Sequence, residues 1–374
     1  MSMERYADEL ERGLKSHGQF NVNSTVIQHS AAARLGLKRL DGPVARLMRY
    51  PLKVARQRAD LYHIIDHSYA HVAALIPKER TIVTCHDLIL LIGEERLPRL
   101  RGRRSTVLRF RWTVSYLRRV AHVVCVSRST AADVVRLCGV PEERITVVPN
   151  GLDRRFRPLP EDSRAKLKAQ LQLVANHAVL HVGAPARYKN IAGTLRVLAS
   201  LRDASVDATL VRVGAPLAGE ERDLARKLRL GSAVVECGFV TDDRLVELYN
   251  ACDVLLFPSY YEGFGWPPLE AMACGTPVVS SDRGSLAEVV GEAGLMADPD
   301  DTEALSAAVR SVLESEDLRE ELRRRGLRRA AAFTWDRAID GYARVYGDVL
   351  SRAGGRVRAY EHSAVGAPHA EERP

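Results

Sequence analysis

Short β-branched runs alternate along the chain with longer stretches in which apolar residues recur every three or four positions. The first kind suits a strand buried on both faces and the second a helix buried along one stripe. Together they predict parallel sheets with crossover helices. In the first half the predicted strands are STVIQHS (24–30), ADLYHIID (59–66), RTIVTCHD (80–87), AHVVCVS (121–127) and RITVVPN (144–150). Residues 128–139 read as a helix with Ser129 as N-cap and Gly139 as its stop. A second series follows, with strands AVLHVGA (178–184), ATLVRVG (208–214), AVVECGF (233–239), DVLLFPS (253–259) and TPVVSSD (276–282), each trailed by a helical pattern. Thr241 and Thr302 are the predicted N-caps of two of those helices.

Between the two series, PNGLDRRFRPLPEDS (149–163) has Pro, Gly and no period, which reads as a linker. Residues 334–352 form one amphipathic helical pattern, and the end of the chain is Gly, Ala, Pro and charge without period. The expected organisation is a Rossmann-like domain over 1–157, a second over 158–335, a helix over 336–352 that returns towards the first domain, and a disordered tail over 353–374. The fold class is therefore α/β, with two doubly wound domains facing across a cleft. Such folds bind ligands outside the carboxyl ends of their strands, so the ligand belongs in that cleft.

Composition narrows the class. With 46% hydrophobic and 27% charged residues in 374, the chain has the make-up of a globular protein large enough for two cores. No apolar run nears the ~20 residues of a membrane helix, and the charged, amphipathic start MSMERYADELERGLKSHG does not read as a signal peptide. The six cysteines form no CxxC pair, which points to a reducing, cytoplasmic setting and away from a structural zinc site. Residues 1–158 hold 28 Lys and Arg against 15 Asp and Glu, a surplus of 13, whereas the remainder is net acidic. The densest basic stretch, 96–119, mixes arginines with Leu, Phe, Trp and Tyr. It reads either as a solvated face or as a peripheral contact with anionic lipid or a pyrophosphate-bearing acceptor. No nucleic-acid-binding module accompanies it.

Three places carry candidate chemistry. In PSYYEGFGWPPLEAMACGTPVVSSDRGSLAEVVGEAG (258–294), a strand runs into a loop holding Glu262, Gly263, Phe264 and Gly265, and then into a helix from about Pro267 to Cys274. A Gly-rich loop feeding a helix N-terminus presents backbone N–H groups and a positive dipole end to an anion. Glu262 at the strand tip and Glu270 on the helix are placed to reach a polyhydroxylated ligand; the plainer alternative is a helix cap and a solvated carboxylate. In HVGAPARYKNIAGTLRVLASL (181–201), Gly183 ends a strand, and Arg187 and Lys189 precede a helix. Fixed cations there either stabilise an anion bound in the cleft or are simply solvated. His86, followed by Asp87 at the end of 80–87, is a structural histidine or a hydrogen-bonding group facing the cleft. His63 and His67 in HIIDHSYAH are candidates for the acceptor side.

The 258–294 window, with two glutamates separated by seven residues in EGFGWPPLE, resembles the signature of the family-four retaining glycosyltransferases, and the likeness runs from about residue 4 to 350. The resemblance implies the GT-B fold, a nucleoside-diphosphate sugar donor, retention at the anomeric carbon and no metal or other cofactor. It implies that Glu262 contacts hydroxyls of the transferred sugar and Glu270 the donor ribose. Backbone amides of Gly263, Phe264 and Gly265 would meet the sugar and diphosphate, and His86 the transferred sugar. Lys189 matches the family's diphosphate-binding lysine. Arg187 departs from the pattern, since the family arginine directly follows the glycine, a place taken here by Ala184. Phe239 and Val240 sit where the family holds the nucleobase through backbone atoms, and Asn150-Gly151-Leu152-Asp153 resembles its linker turn. Family members begin with a strand and a Gly-rich loop ahead of the helix that starts this chain, so further residues encoded upstream are an expectation.

The expected activity is transfer of a hexose, mannose first, from GDP-mannose or UDP-glucose to a glycan or lipid-linked acceptor. A sugar-nucleotide 2-epimerase and a catalytically dead sugar-nucleotide-binding protein are the rivals.

Overall fold

The computed structural model describes residues 3–25, 50–95, 103–170 and 176–354. Most of the predicted strand 24–30, the first part of the basic stretch 96–119 and the tail from 355 fall outside them. Among the described residues there are two parallel sheets. The first has strands β1 (Tyr62–Ile64), β2 (Thr81–Cys85), β3 (His122–Cys125) and β4 (Ile145–Val147) in sequential order. The second has β5 (His177–Val182), β6 (Ala208–Val213), β7 (Val234–Gly238), β8 (Val254–Phe257), β9 (Val278–Ser281) and β10 (Leu295–Ala297), in the order β10-β9-β8-β5-β6-β7. The chain builds outwards from β5 to β7, then returns to the other side of β5 and builds out again. That reversal opens a crevice between the carboxyl ends of β5 and β8, the switch point of a doubly wound sheet.

Both sheets are covered by helices. β2 is buried along its whole length, as are β6, β8 and β9, which is why these segments are mostly apolar on both faces and not alternating. The first helix, Met3–His17, buries Tyr6, Leu10 and Leu14 against Ile82 and Val124 of the first sheet and against the last helix, Trp335–Arg352. The last helix is fastened to the first domain through hydroxyls. Tyr342 meets the Tyr6 hydroxyl at 2.5 Å and Thr84 at 3.2 Å, and Tyr346 meets His63 Nδ1 at 2.6 Å. At the crossing between domains, Leu152 bridges Thr334, and Gly151 lies so near Trp335 that a Cβ there would be 2.5 Å from its backbone.

Several local expectations shift. The helix Arg128–Cys138 is capped by Ser127, whose side chain accepts from the Thr130 amide, and not by Ser129; Gly139 closes it in the left-handed conformation. Asp301, not Thr302, caps the helix Thr302–Glu314 by accepting from the Ala304 amide. Ser129 and Thr302 already lie inside their helices, whereas Ser127 and Asp301 keep the non-helical backbone from which a cap side chain reaches a free amide. Thr241 does cap its helix, accepting from the Arg244 amide. The linker ends at the helix Glu161–Gln170, and β10 completes the second sheet as a three-residue edge strand. No helix among the described residues is long and apolar enough to cross a membrane.

Candidate active site

The crevice between β5 and β8 is where the predicted residues converge. β8 delivers the loop Tyr261–Gly265, and β5 delivers Gly183 and the 3-10 turn Arg187–Lys189. Lys189 Nζ lies 2.7 Å from Glu262 Oε1, with the two side chains only 10% and 11% exposed. The ammonium also lies 4.8 Å from the centre of the Phe257 ring and 5.3 Å from that of Tyr188. The lysine stem reaches this position by lying across the end of β5, where a Cβ on Gly183 would be 3.3 Å from Lys189 Cδ. Arg187, one residue before Tyr188 in the same turn, goes elsewhere: its side chain is 71% exposed and 3.7 Å from Glu220. The two cations expected together are thus one held and one solvated.

Gly265 starts the helix Trp266–Ala273 at φ 101°, with Pro267 and Pro268 in the first turn. Prolines carry no N–H, so the amides this turn offers an anion are those of Gly263, Phe264, Gly265 and Trp266. Ser285 braces the loop, its hydroxyl shared between the carbonyls of Glu262 at 2.9 Å and Phe264 at 2.8 Å. The Phe264 ring is buried in the core of the second domain against Trp266 and Phe333, which leaves only its backbone for a ligand.

Glu270 lies deeper. It is 2% exposed and accepts the Tyr249 hydroxyl at 2.9 Å. Burial pushes its carboxyl above the usual range, with the Tyr249 hydrogen bond and the charge of Arg5 pulling the other way. Arg5, on the first helix, is ion-paired with Asp242, and Asp242 also meets Arg155 of the linker at 3.2 Å. The two glutamates therefore sit in different surroundings, one paired with a lysine at the crevice and one held by a tyrosine beneath it. Phe239 follows β7 and is 80% exposed, while Val240 packs on the second domain's core.

From the first domain comes the end of β2. His86 Nε2 is 2.8 Å from the Ile65 carbonyl, to which it donates, so the neutral ring keeps its lone pair on Nδ1. Burial, and then the neighbouring His67, lower its pKa below the ordinary 6.5. His67 accepts the His86 amide on Nδ1 at 3.2 Å and is buried, so it supports His86 from behind. His63 is a correction: both ring nitrogens are taken, by Tyr346 at 2.6 Å and Thr84 at 2.7 Å, and burial drives its pKa to about 3. It belongs to the packing of the last helix and not to an acceptor surface.

Sequence reasoning missed Tyr249, Ser285 and the contacts that bring β2's end to the Glu262 loop. Ser285 lay inside the window already singled out, but nothing in its spacing showed where its hydroxyl would turn. The assembled group is a buried lysine–carboxylate pair, a set of convergent amides and a neutral imidazole at one crevice. It suits an anion carried by a hydroxyl-rich molecule.

Comparison with known proteins bears on the same region. Residues 163–329 match the family model described as glycosyl transferases group 1, and residues 3–156 match glycosyltransferase family 4. The chain is 32% identical over 271 residues to the O-antigen chain mannosyltransferase B of Escherichia coli, covering 69% of this chain and 68% of that protein. It is 29% identical over 317 residues to the serotype-specific mannosyltransferase WbdA of Escherichia coli, where the match covers 79% of this chain but only 38% of the relative. Among solved structures, sucrose-phosphate synthase from Thermosynechococcus elongatus superposes with a TM-score of 0.75 over 94% of both chains at 23% identity.

Proposed function

Because the chain belongs to the GT-B glycosyltransferases, in their mannosyltransferase-like branch, we propose that it moves mannose from GDP-mannose to a glycan or lipid-linked acceptor in polysaccharide synthesis. UDP-glucose is the second donor to test. The observation that carries this reading is the Lys189–Glu262 pair at the switch-point crevice, beside the amides of 263–266. Lys189 and those amides hold the donor diphosphate, and Arg187 swings in from solvent to add a second cation. Glu262 accepts from hydroxyls of the transferred sugar, Glu270 meets the ribose, and the backbone after Gly238 holds the base. His86, with its lone pair on Nδ1, accepts from a sugar hydroxyl.

The reaction follows from charge. As the bond from the anomeric carbon to the phosphate oxygen breaks, negative charge gathers on the diphosphate, and Lys189 with the loop amides stabilises it there. The acceptor oxygen attacks the same face of the sugar, and its proton passes to the departing phosphate oxygen. The product keeps the donor's anomeric configuration. No protein nucleophile, metal or other cofactor takes part in this scheme. The net positive charge of residues 1–158 and the basic, aromatic stretch 96–119 support a peripheral contact with an anionic membrane surface where a lipid-linked acceptor resides. The test is incubation with labelled GDP-mannose and UDP-glucose against mannosylated oligosaccharides and membrane-extracted glycolipids, with NMR of the product. Transfer with the opposite anomeric configuration would sink the retaining scheme, and no transfer from either donor would sink the activity.

A further inference from the structure

The Glu262 loop is held from the opposite domain as well as from its own. Tyr261, immediately before Glu262, has its ring buried in the first domain's core with Leu88, Leu91, Phe110 and Val134. Its hydroxyl donates to Asp133 Oδ2 at 2.8 Å; the other Asp133 oxygen takes Arg136 at 2.7 Å. Asp133 and Arg136 lie on the helix Arg128–Cys138. The amino end of that same helix is capped from the second domain: Glu288 accepts the amides of Arg128 at 3.0 Å and Ser129 at 3.1 Å. A carboxylate on two free amides of a helix N-terminus makes charge-assisted bonds and meets the positive end of the dipole. Between the two ends, the Thr130 hydroxyl lies 3.2 Å from the Gly263 carbonyl and 3.4 Å from that of His86.

We propose that Tyr261 and Glu288 form a two-point clasp on the helix Arg128–Cys138, and that the clasp positions the Glu262 carboxylate against the His86 end of β2. Separating the domains would strip the Tyr261 ring of its core, break its bond to Asp133 and leave the Arg128 and Ser129 amides without their carboxylate. The three losses come together because Asp133, Val134 and the Arg128 and Ser129 amides lie on one helix, and Leu88, Leu91 and Phe110 pack in that same domain. Tyr261 is joined to Glu262 by a single peptide, so the clasp fixes the Glu262 backbone, and Lys189 then holds its carboxylate at 2.7 Å. Tyr261, Asp133 and Glu288 are thus positioning residues, acting through Glu262. The inference rests on the Glu262 site described above and adds what assembles it.

The test compares the full chain with Tyr261→Phe, Glu288→Ala and Asp133→Ala, by amide hydrogen exchange and by turnover of GDP-mannose. Tyr261→Phe keeps the ring and removes only the hydroxyl. It should raise exchange at Arg128 and Ser129, amides that Tyr261 does not touch, by about tenfold, since opening is shared. It should lower kcat about tenfold with the donor KM within about twofold, and Asp133→Ala added to it should cost kcat little further, since the other partner of Asp133, Arg136, lies on the same helix. Parent-like exchange at Arg128 and Ser129, or parent-like kcat, in Tyr261→Phe overturns the clasp. If the parent chain does not turn over GDP-mannose, the donor reading fails, and the exchange measurement decides the clasp without it.

Discussion

Gly263 touches His86 backbone to backbone across the two domains: a Cβ on Gly263 would lie 1.9 Å from the His86 carbonyl oxygen and 2.9 Å from Asp87 Cβ. Neither neighbour is a flexible side-chain tip that can swing aside, so a methyl group at 263 must push the domains apart. Gly263→Ala should therefore lower kcat by about 100-fold, the effect of misplacing reacting groups by about an ångström. Each domain keeps its own core, so thermal melting should shift by only a few degrees. Turnover near the parent value would mean that the contact is not needed for reaction.

Lys189 and Glu262 should each prove necessary, for related reasons. Lys189→Ala removes the cation that the proposed scheme sets against the leaving diphosphate and leaves the Glu262 carboxylate without its 2.7 Å partner. Glu262→Ala removes the carboxylate that the proposal sets against the sugar hydroxyls and leaves the lysine facing Phe257 and Tyr188. Each change should reduce kcat/KM by at least ~10²-fold, and the double variant should lose far less than the product of the two, because they act as one unit. Multiplicative losses, or near-normal turnover in folded single variants, would refute the pairing.

The parts of this site differ in how far the sequence disclosed them. A Gly-rich turn after a short apolar run, with prolines opening the next helix, exposes the Glu262 loop because strand tip and helix start are encoded within a dozen residues. The switch-point crevice follows from the order of elements. What stays hidden is anything set by distant side chains. Lys189 and Arg187 look alike in sequence, yet one is buried and the other solvated, since only Lys189 has Glu262, 73 positions away, to meet. Glu288 capping the Arg128–Cys138 helix joins residues 160 and 159 apart. The cap at Ser127 and the edge strand Leu295–Ala297 were missed for local reasons: several hydroxyls competed for one cap, and three residues are too few to show a period.

Acid should weaken the fold before it reaches the carboxylates. Burial lowers the pKa of His63 to about 3, of His181 to about 3 and of His122 to about 4, all from 6.5. Below pH 6.5 the unfolded chain binds protons at these positions that the folded chain does not, so stability falls as pH falls through that window towards 3. Above 6.5 these groups contribute no slope. Denaturant midpoints measured from pH 8 to 4 should be flat at first and then decline; a flat curve down to pH 4.5 would contradict the burial of these rings. Turnover should outlast the ordinary imidazole range for the same reason, because His86 stays neutral below 6.5.

Transfer should survive EDTA. In the proposed scheme the charge that builds on the diphosphate is met by Lys189 and by the amides of 263–266, with no divalent ion between them and the phosphates. Assays with EDTA in excess should match those in magnesium. Activity lost on chelation and restored by manganese would overturn the metal-independent scheme.

The described part of the basic stretch places its chemistry on one helix face. Arg104–Val114 buries Val107, Phe110, Thr113 and Val114, and turns Arg104, Leu108, Arg109, Arg111 and Trp112 outwards. The Trp112 ring continues into Tyr116 at 5.5 Å, over which the Arg119 guanidinium lies at 4.9 Å. An exposed Leu and Trp among arginines is a poor design for a purely solvated helix, since burying the indole in an interface while arginines meet anionic headgroups lowers the free energy twice. Vesicles containing anionic phospholipid should therefore co-sediment the chain, more weakly as salt rises. Each of Arg109→Gln and Arg111→Gln should weaken binding by about fivefold, the equivalent of roughly 1 kcal/mol per basic residue near the surface. Trp112→Ala should weaken it without changing the salt dependence, because it removes area and not charge. Equal binding to neutral and anionic vesicles, or none to either, would leave this face as a solvated one.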